Sequence, residues 1–349
     1  MFICNSLGAN TLDAITKQDY KKNNQVSLQP LINLTKDDME RANQLIISMI
    51  KSNIEMIPEI CNHLISSGGK RLRPMITLAA AHMFEYQGDE HIKLATAVEF
   101  MHTATLLHDD VVDESNLRRG KSTARMIWGN QASVLVGDFL LGQAFKMMVD
   151  ARSMEALAIL SNAAAVIAEG EVMQLAAANN IENDISNYLK IINAKTAALF
   201  SAAAEVGPII AGYGCEERSA LRKYGTSLGL AFQLIDDALD YSGDAQHLGK
   251  NIGDDFREKK ITMPVIFSYM RGNAVEKEFW KQTFKESNHS DEAFIHAQYL
   301  MEKYGCITDT IKQARIYGQH AIDALSSIKD SPAKSALIEV IDFCIARVN

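Results

Sequence analysis

Leu106-Leu107-His108-Asp109-Asp110-Val111-Val112-Asp113 sets three carboxylates into a run that is otherwise apolar. In a helix Asp109 and Asp113 share a face at i and i+4, and Asp110 lies within roughly 100° of both, so all three open into one space. A helix beginning near Glu90 would put them at its C-terminal end, where the macrodipole also disfavours negative charge. Crowded, partly desolvated acids raise one another's pKa or recruit cations. Hard divalent ions with oxygen ligands, Mg2+ foremost, resolve that conflict. A solvated acidic helix end is the plain alternative, and Leu106-Leu107 and Val111-Val112 count against full solvation.

The pattern returns in Gln233-Leu234-Ile235-Asp236-Asp237-Ala238-Leu239-Asp240, again inside an apolar helical run, which begins near Leu228. Two Asp-Asp-x-x-Asp clusters on long hydrophobic helices are the strongest signal in the chain. The 349 residues contain 47% hydrophobic side chains, ample for a large core, and Ala-, Leu- and Met-rich segments recur at helical period. No strand run bounded by turn signals competes, and no Pro/Gly/Ser linker divides the chain. The expected class is all-α, a single helical domain over residues 31–349 behind a polar extension over residues 1–30.

A net charge of -8 speaks against non-specific nucleic-acid binding. Five widely spaced cysteines without a Cys-x-x-Cys pair point to neither a disulfide framework nor a zinc site, which fits a reducing cytoplasm. No signal segment is evident, and Gly137-Asp138 interrupts the one apolar run of note, so a soluble protein without a membrane span is expected. The first helix is expected at Thr35, as a cap before Asp37-Asp38; a long helix is expected from about Gln131 to Asp150, and two amphipathic helices close the chain at 307–328 and 332–348.

Basic residues gather beside the acids. Gly68-Gly69-Lys70-Arg71-Leu72-Arg73 is a flexible turn whose amides and cations suit phosphate oxygens, although it lacks Walker spacing. Arg118-Arg119-Gly120-Lys121 follows the first acid cluster, and Gly249-Lys250 and Lys259-Lys260 follow the second. An anion held between metal and guanidinium groups fits this alternation, and diphosphate is such an anion. Lys195 stands alone in an apolar helix, where a snorkelling surface lysine is the default.

Together these motifs resemble the all-trans polyprenyl diphosphate synthase family, over residues 68–264, and most closely its long-chain branch. The resemblance implies an isoprenoid-synthase helical bundle with a central apolar cavity. It also implies a prenyltransferase that condenses isopentenyl diphosphate onto an allylic diphosphate, farnesyl or geranylgeranyl, to give an octaprenyl-to-decaprenyl product for a quinone side chain. Carried over by position, Asp109, Asp110, Asp113, Asp236 and Asp240 hold Mg2+, three ions per site, with Asp237 in the same catalytic cluster. Arg118, Lys195, Lys250 and Lys260 contact the allylic diphosphate; Gly69, Lys70, Arg73, His102 and Arg119 form the isopentenyl diphosphate site; Thr196 and Gln233 lie near the reacting carbons. Lys259 departs from the family's usual Glu-Gly-Lys stretch, which leaves open whether Lys259 or Lys260 reaches phosphate. A homodimer with transient membrane contact at product release is implied as well.

Family members stop growth early with bulky aromatics four or five positions before the first acid cluster. Here those positions are Thr105 and Ala104, so a long product is expected, with Met101, Phe145, Met147 and Met148 as candidates for a deeper floor. Two rivals are weaker. A di-iron bundle would use Glu99-Phe100-Met101-His102, but the second Glu-x-x-His, Glu286-Ser287-Asn288-His289, lies in a polar loop. A non-catalytic subunit of a heteromeric synthase is expected to lack one or both acid clusters, and both are intact.

Overall fold

Capping chemistry marks several helix starts. Ser153, Asp184, Ser290 and Ser331 each accept a hydrogen bond from the backbone N–H three residues on, at 3.2, 2.8, 3.2 and 3.2 Å. Proline occupies the first turn in three helices, where no amide partner is needed. The computed structural model describes residues 26–178, 180–182, 184–242, 252–285 and 290–348. Lys250, residues 286–289 and residues 1–25 of the N-terminal extension lie outside them.

In chain order the helices are α1 (Gln29–Met49), α2 (Met56–Ser66), α3 (Leu72–Met83), α4 (Glu90–Val112), α5 (Ala124–Asp150), α6 (Met154–Ala177) and α7 (Ile185–Ile192). A π-helical turn, Asn193–Ala197, leads into α8 (Ala198–Ile210) and α9 (Cys215–Ser242). Then come α10 (Asp254–Arg257), α11 (Met263–Arg271), α12 (Ala274–Lys285), α13 (Asp291–Lys303), α14 (Cys306–Ala324) and α15 (Pro332–Ala346). The expected all-α class holds. Helix α4 packs along α5, α9 along α14, and α8 lies centrally against α3, α4, α6 and α9. One core cluster joins α4, α5, α6 and α8; another joins α1, α3, α9 and α15.

Four expectations need correction. Thr35 does not cap α1: the helix starts at Gln29 with Pro30 in its first turn, and buried Thr35 donates to the Leu31 carbonyl at 2.9 Å. Helix α5 begins at Ala124, with a break at Gly129 (φ 86°) ahead of the expected start. The basic stretch after the first acids forms a small antiparallel hairpin, β1 (Leu117–Arg118) and β2 (Lys121–Ser122). Arg119 and Gly120 both take positive φ, 53° and 75°, as a two-residue hairpin turn requires. Finally, α5 and α6 are long and apolar enough to cross a membrane by length and composition. Gly137-Asp138 fails to interrupt α5 because Gly137 sits on its buried face against His108, while Asp138 points outward.

Candidate active site

The ends of α4 and α9 face one another across a cavity of about 1580 Å³. Asp109, Asp110, Asp113, Asp236, Asp237 and Asp240 all line it. The cationic turn before α3, the β1–β2 hairpin, the π turn, α10 and the end of α15 close around them.

On the α4 side Asp110 is buried, and Arg118 places Nε at 2.8 Å and Nη2 at 2.7 Å from its Oδ1. The hairpin turn thus folds Arg118 back onto the acid cluster that precedes it. Asp113 accepts from Lys260 Nζ at 2.8 Å, and Lys260 also reaches Glu258 at 2.7 Å. Burial alone would lower the Lys260 pKa, but the charges of Asp255, Asp113 and Glu258 carry it above the ordinary lysine value. Asp109 has no such guanidinium: burial, then the charge of Glu171, push its carboxyl up to about 7.

The π turn gives Lys195 and Thr196 a wide helical step, so both consecutive side chains line the cavity. Lys195 does not snorkel to solvent. It pairs with Glu171 at 2.6 Å and Gln174 at 2.9 Å, and its side chain is only 15% exposed. Thr196 Oγ1 donates to Gln233 Oε1 at 2.9 Å, and Gln233 Nε2 donates to Asp237 Oδ1 at 2.8 Å. The Tyr188 hydroxyl donates to the other Asp237 oxygen.

The second acid cluster therefore diverges. Asp236 pairs with Arg347 at 2.7 Å, Asp237 turns toward Gln233 and Tyr188, and Asp240 accepts the Asp255 backbone N–H at 3.1 Å. Among the described residues no three acidic, histidine or cysteine side chains converge into a finished metal cage. The donors nonetheless suit a hard divalent cation. Asp110 Oδ2 is buried without a hydrogen-bond partner, and at Asp109 burial and the charge of Glu171 outweigh the opposing charges of Lys195 and Arg118.

The isopentenyl diphosphate residues implied by the resemblance line the same cavity. A Cβ on Gly69 (φ 145°) would stand 2.6 Å from Arg119 Nη1, so only glycine lets that guanidinium lie over the turn. Arg73 stacks 4.2 Å above the Phe200 ring and reaches His102 Nε2 at 3.3 Å. Burial lowers Arg73 to about 10, while burial and the charges of Arg73, Arg119 and Arg118 hold His102 well below the ordinary histidine range, as a neutral ring. Lys70 lies 4.4 Å from the Phe343 ring centroid. Glu99 stands 3.7 Å from Arg71, which aligns Glu99 and His102 with arginines rather than with the ligands of a second metal.

Lys260 reaches the acids, whereas the adjacent Lys259 takes φ 58°. That left-handed backbone is one that glycine adopts without steric cost. Lys259→Gly is expected to raise stability by up to about 1 kcal/mol, the left-handed cost less the added freedom of the unfolded chain. Chemical denaturation measures it, with an unchanged or lower midpoint as the contrary result.

The chain-length residues separate. Thr105 lines the cavity; Ala104, Met101, Met147 and Met148 are buried together in the core beyond it. Phe145 is 37% exposed, because the inward stripe of α5 runs through Ala144, Met147 and Met148 and places Phe145 to one side of it. As a floor within this chain Phe145 is therefore misplaced. Glu171, Gln174, Tyr188, Asp255, Glu258 and Arg347 also line the site and were not foreseen. Glu171 and Gln174, polar at i and i+3 in an apolar helix, carried a readable signal, and Asp255 and Glu258 stand in the Gly-Lys-x-x-Gly-Asp-Asp and Glu-x-Lys stretches already singled out.

A helical bundle with two facing acid clusters and flanking cations defines a class of enzyme that handles anionic, metal-assisted leaving groups. The chain belongs to the polyprenyl synthetase family, whose model matches residues 54–301, and is a prenyltransferase. It is 42% identical over 324 residues to octaprenyl diphosphate synthase of Escherichia coli (strain K12), covering 92% of this chain and 99% of that one. A polyprenyl synthase from Caulobacter crescentus CB15, solved with calcium and isoprenyl diphosphate, superposes with a TM-score of 0.90 at 46% identity, covering 94% of this chain and 100% of that one. A decaprenyl diphosphate synthase from Rhodobacter capsulatus gives 0.88 at 47% identity, covering 93% and 100%.

Proposed function

We propose that this long-chain all-trans polyprenyl diphosphate synthase extends an allylic diphosphate with isopentenyl diphosphate to octaprenyl-to-decaprenyl length. The observation that carries the reading is the two acid clusters lining one cavity, with cationic side chains from several loops and helices on the same wall. Asp109, Asp110 and Asp113 would hold Mg2+ from one side, and Asp236 and Asp240 from the other. When bound, the ions neutralise the charge that develops on the departing diphosphate.

Lys195, Arg118 and Lys260 already point into the same space, poised to exchange carboxylate partners for phosphate oxygens. Lys70, Arg73 and Arg119 grip the second diphosphate, and neutral His102 can accept a hydrogen bond beside them. Loss of diphosphate leaves an allylic cation next to Thr196 and Gln233; the alkene of isopentenyl diphosphate attacks it, and a proton leaves to the departing diphosphate. The growing tail then enters the apolar core beyond Thr105. The half-exposed or exposed side chains of Val134, Leu135, Phe145, Val149 and Val172 on α5 and α6 support a homodimer.

Label from isopentenyl diphosphate is expected to enter an extractable prenyl product with farnesyl diphosphate and Mg2+, and to stop on chelation. Absence of incorporation with any allylic primer contradicts the reading. Because Asp109 titrates near 7, Mg2+ binding is expected to release about one proton at pH 6 and little at pH 8, weakening as pH falls. Calorimetry in buffers of different ionisation enthalpy reads that difference, and pH-independent binding contradicts it.

A further inference from the structure

We infer that Asp237, held by Tyr188, is a positioning residue that sets the direction of the hydrogen bonds through Gln233 to Thr196, so that Thr196 turns oxygen lone pairs, not its proton, toward the cavity. Asp237 is 1% exposed and Tyr188 5%, and they bond to one another on the cavity wall. One Asp237 oxygen accepts from Tyr188 and the other from Gln233 Nε2 at 2.8 Å. With Nε2 turned to the carboxylate, the Gln233 amide presents its carbonyl oxygen on the opposite side, toward Thr196. Gln233 therefore accepts from Thr196 Oγ1 at 2.9 Å; the single hydroxyl proton is committed to that amide, and only oxygen lone pairs remain for anything else in the cavity. An oxygen so oriented is a fixed negative end of a dipole, aimed before any cation forms, in a site where such dipoles act strongly.

The inference rests on the elongation reading, because the lone pairs matter only beside an allylic cation. It also gives the middle aspartate of the second cluster a task distinct from its neighbours. Asp236 and Asp240 turn to Arg347 and to the Asp255 amide, whereas Asp237 turns to the groups beside the reacting carbons.

A double-substitution cycle tests it. Asp237→Asn presents an amide N–H to Gln233, which then flips, offers its own N–H to Thr196 and swings the hydroxyl proton into the cavity. The expected result is a loss of about 100-fold in kcat, with KM for both substrates within about twofold, whereas Thr196→Val alone loses about tenfold. The Asp237→Asn, Thr196→Val double variant is then expected to be faster than Asp237→Asn, since the misdirected hydroxyl is gone. A double variant as slow as Asp237→Asn or slower overturns the inference, as a merely structural carboxylate would give that outcome. If Asp237→Asn does not fold, Tyr188→Phe replaces it in the cycle: its loss in kcat should vanish on the Thr196→Val background, and persistence there overturns the inference. Wild-type protein that fails to elongate removes the reading and this inference together; elongation with a slow double variant removes this inference alone.

Discussion

Asp109→Asn is expected to abolish turnover, by roughly a thousandfold or more, while raising the melting temperature of the metal-free protein at pH 8. The two effects share one cause. Burial and the charge of Glu171 lift the Asp109 carboxyl from 3.8 to about 7 in the folded chain. A raised acid binds its proton more tightly folded than unfolded. Its charge therefore opposes folding above pH 7, opposes it less as pH falls through 7, and not at all below 3.8. A rise of that size corresponds to roughly a few kcal/mol, removed when asparagine replaces the charge. Thermal melts in chelator should show the variant well above the parent at pH 8, with the gap closing toward pH 5. A variant that melts below the parent at pH 8 would show that Asp109 is compensated within the protein and gains nothing from a bound cation.

The second large effect concerns the product. Ala104 is 2% exposed and packs with Met101, Met147 and Met148, one helical step from Thr105 on the cavity wall. Ala104→Phe pushes a ring into the space proposed for the elongating tail. It should shorten the product by several isoprene units while leaving the acids and cations in place. Overpacking should cost about 1–3 kcal/mol, so the variant is checked for folding before its products are sized. Full-length product from a folded variant contradicts the position assigned to the tail.

The first acid cluster was legible because i and i+4 spacing on an apolar helix leaves the acids one direction in which to point. The cations were legible as loops beside the acids, and the structure brings Arg118 and Lys260 onto Asp110 and Asp113. The second cluster was legible only as a pattern. The same spacing does not reveal that Asp237 turns to Tyr188, or that Asp236 meets Arg347 from the end of the chain. Those contacts join segments remote in sequence, and a single tyrosine or arginine carries no periodic signal. Thr35 was misread because proline starts the helix upstream of it. Phe145 was misread because apolar residues on the outer face of α5 look like those on its inner face. Lys259 showed the opposite relation: its departure from glycine marked a position whose left-handed backbone only the structure explains.

The most direct measurement is the size of the product. Purified protein is incubated with farnesyl diphosphate, labelled isopentenyl diphosphate and Mg2+, and the extracted chains are sized by reversed-phase chromatography. One long product between octaprenyl and decaprenyl, absent on chelation, is the expected result. Products that stop at geranylgeranyl length would contradict it, placing a barrier where Ala104 and Thr105 leave room.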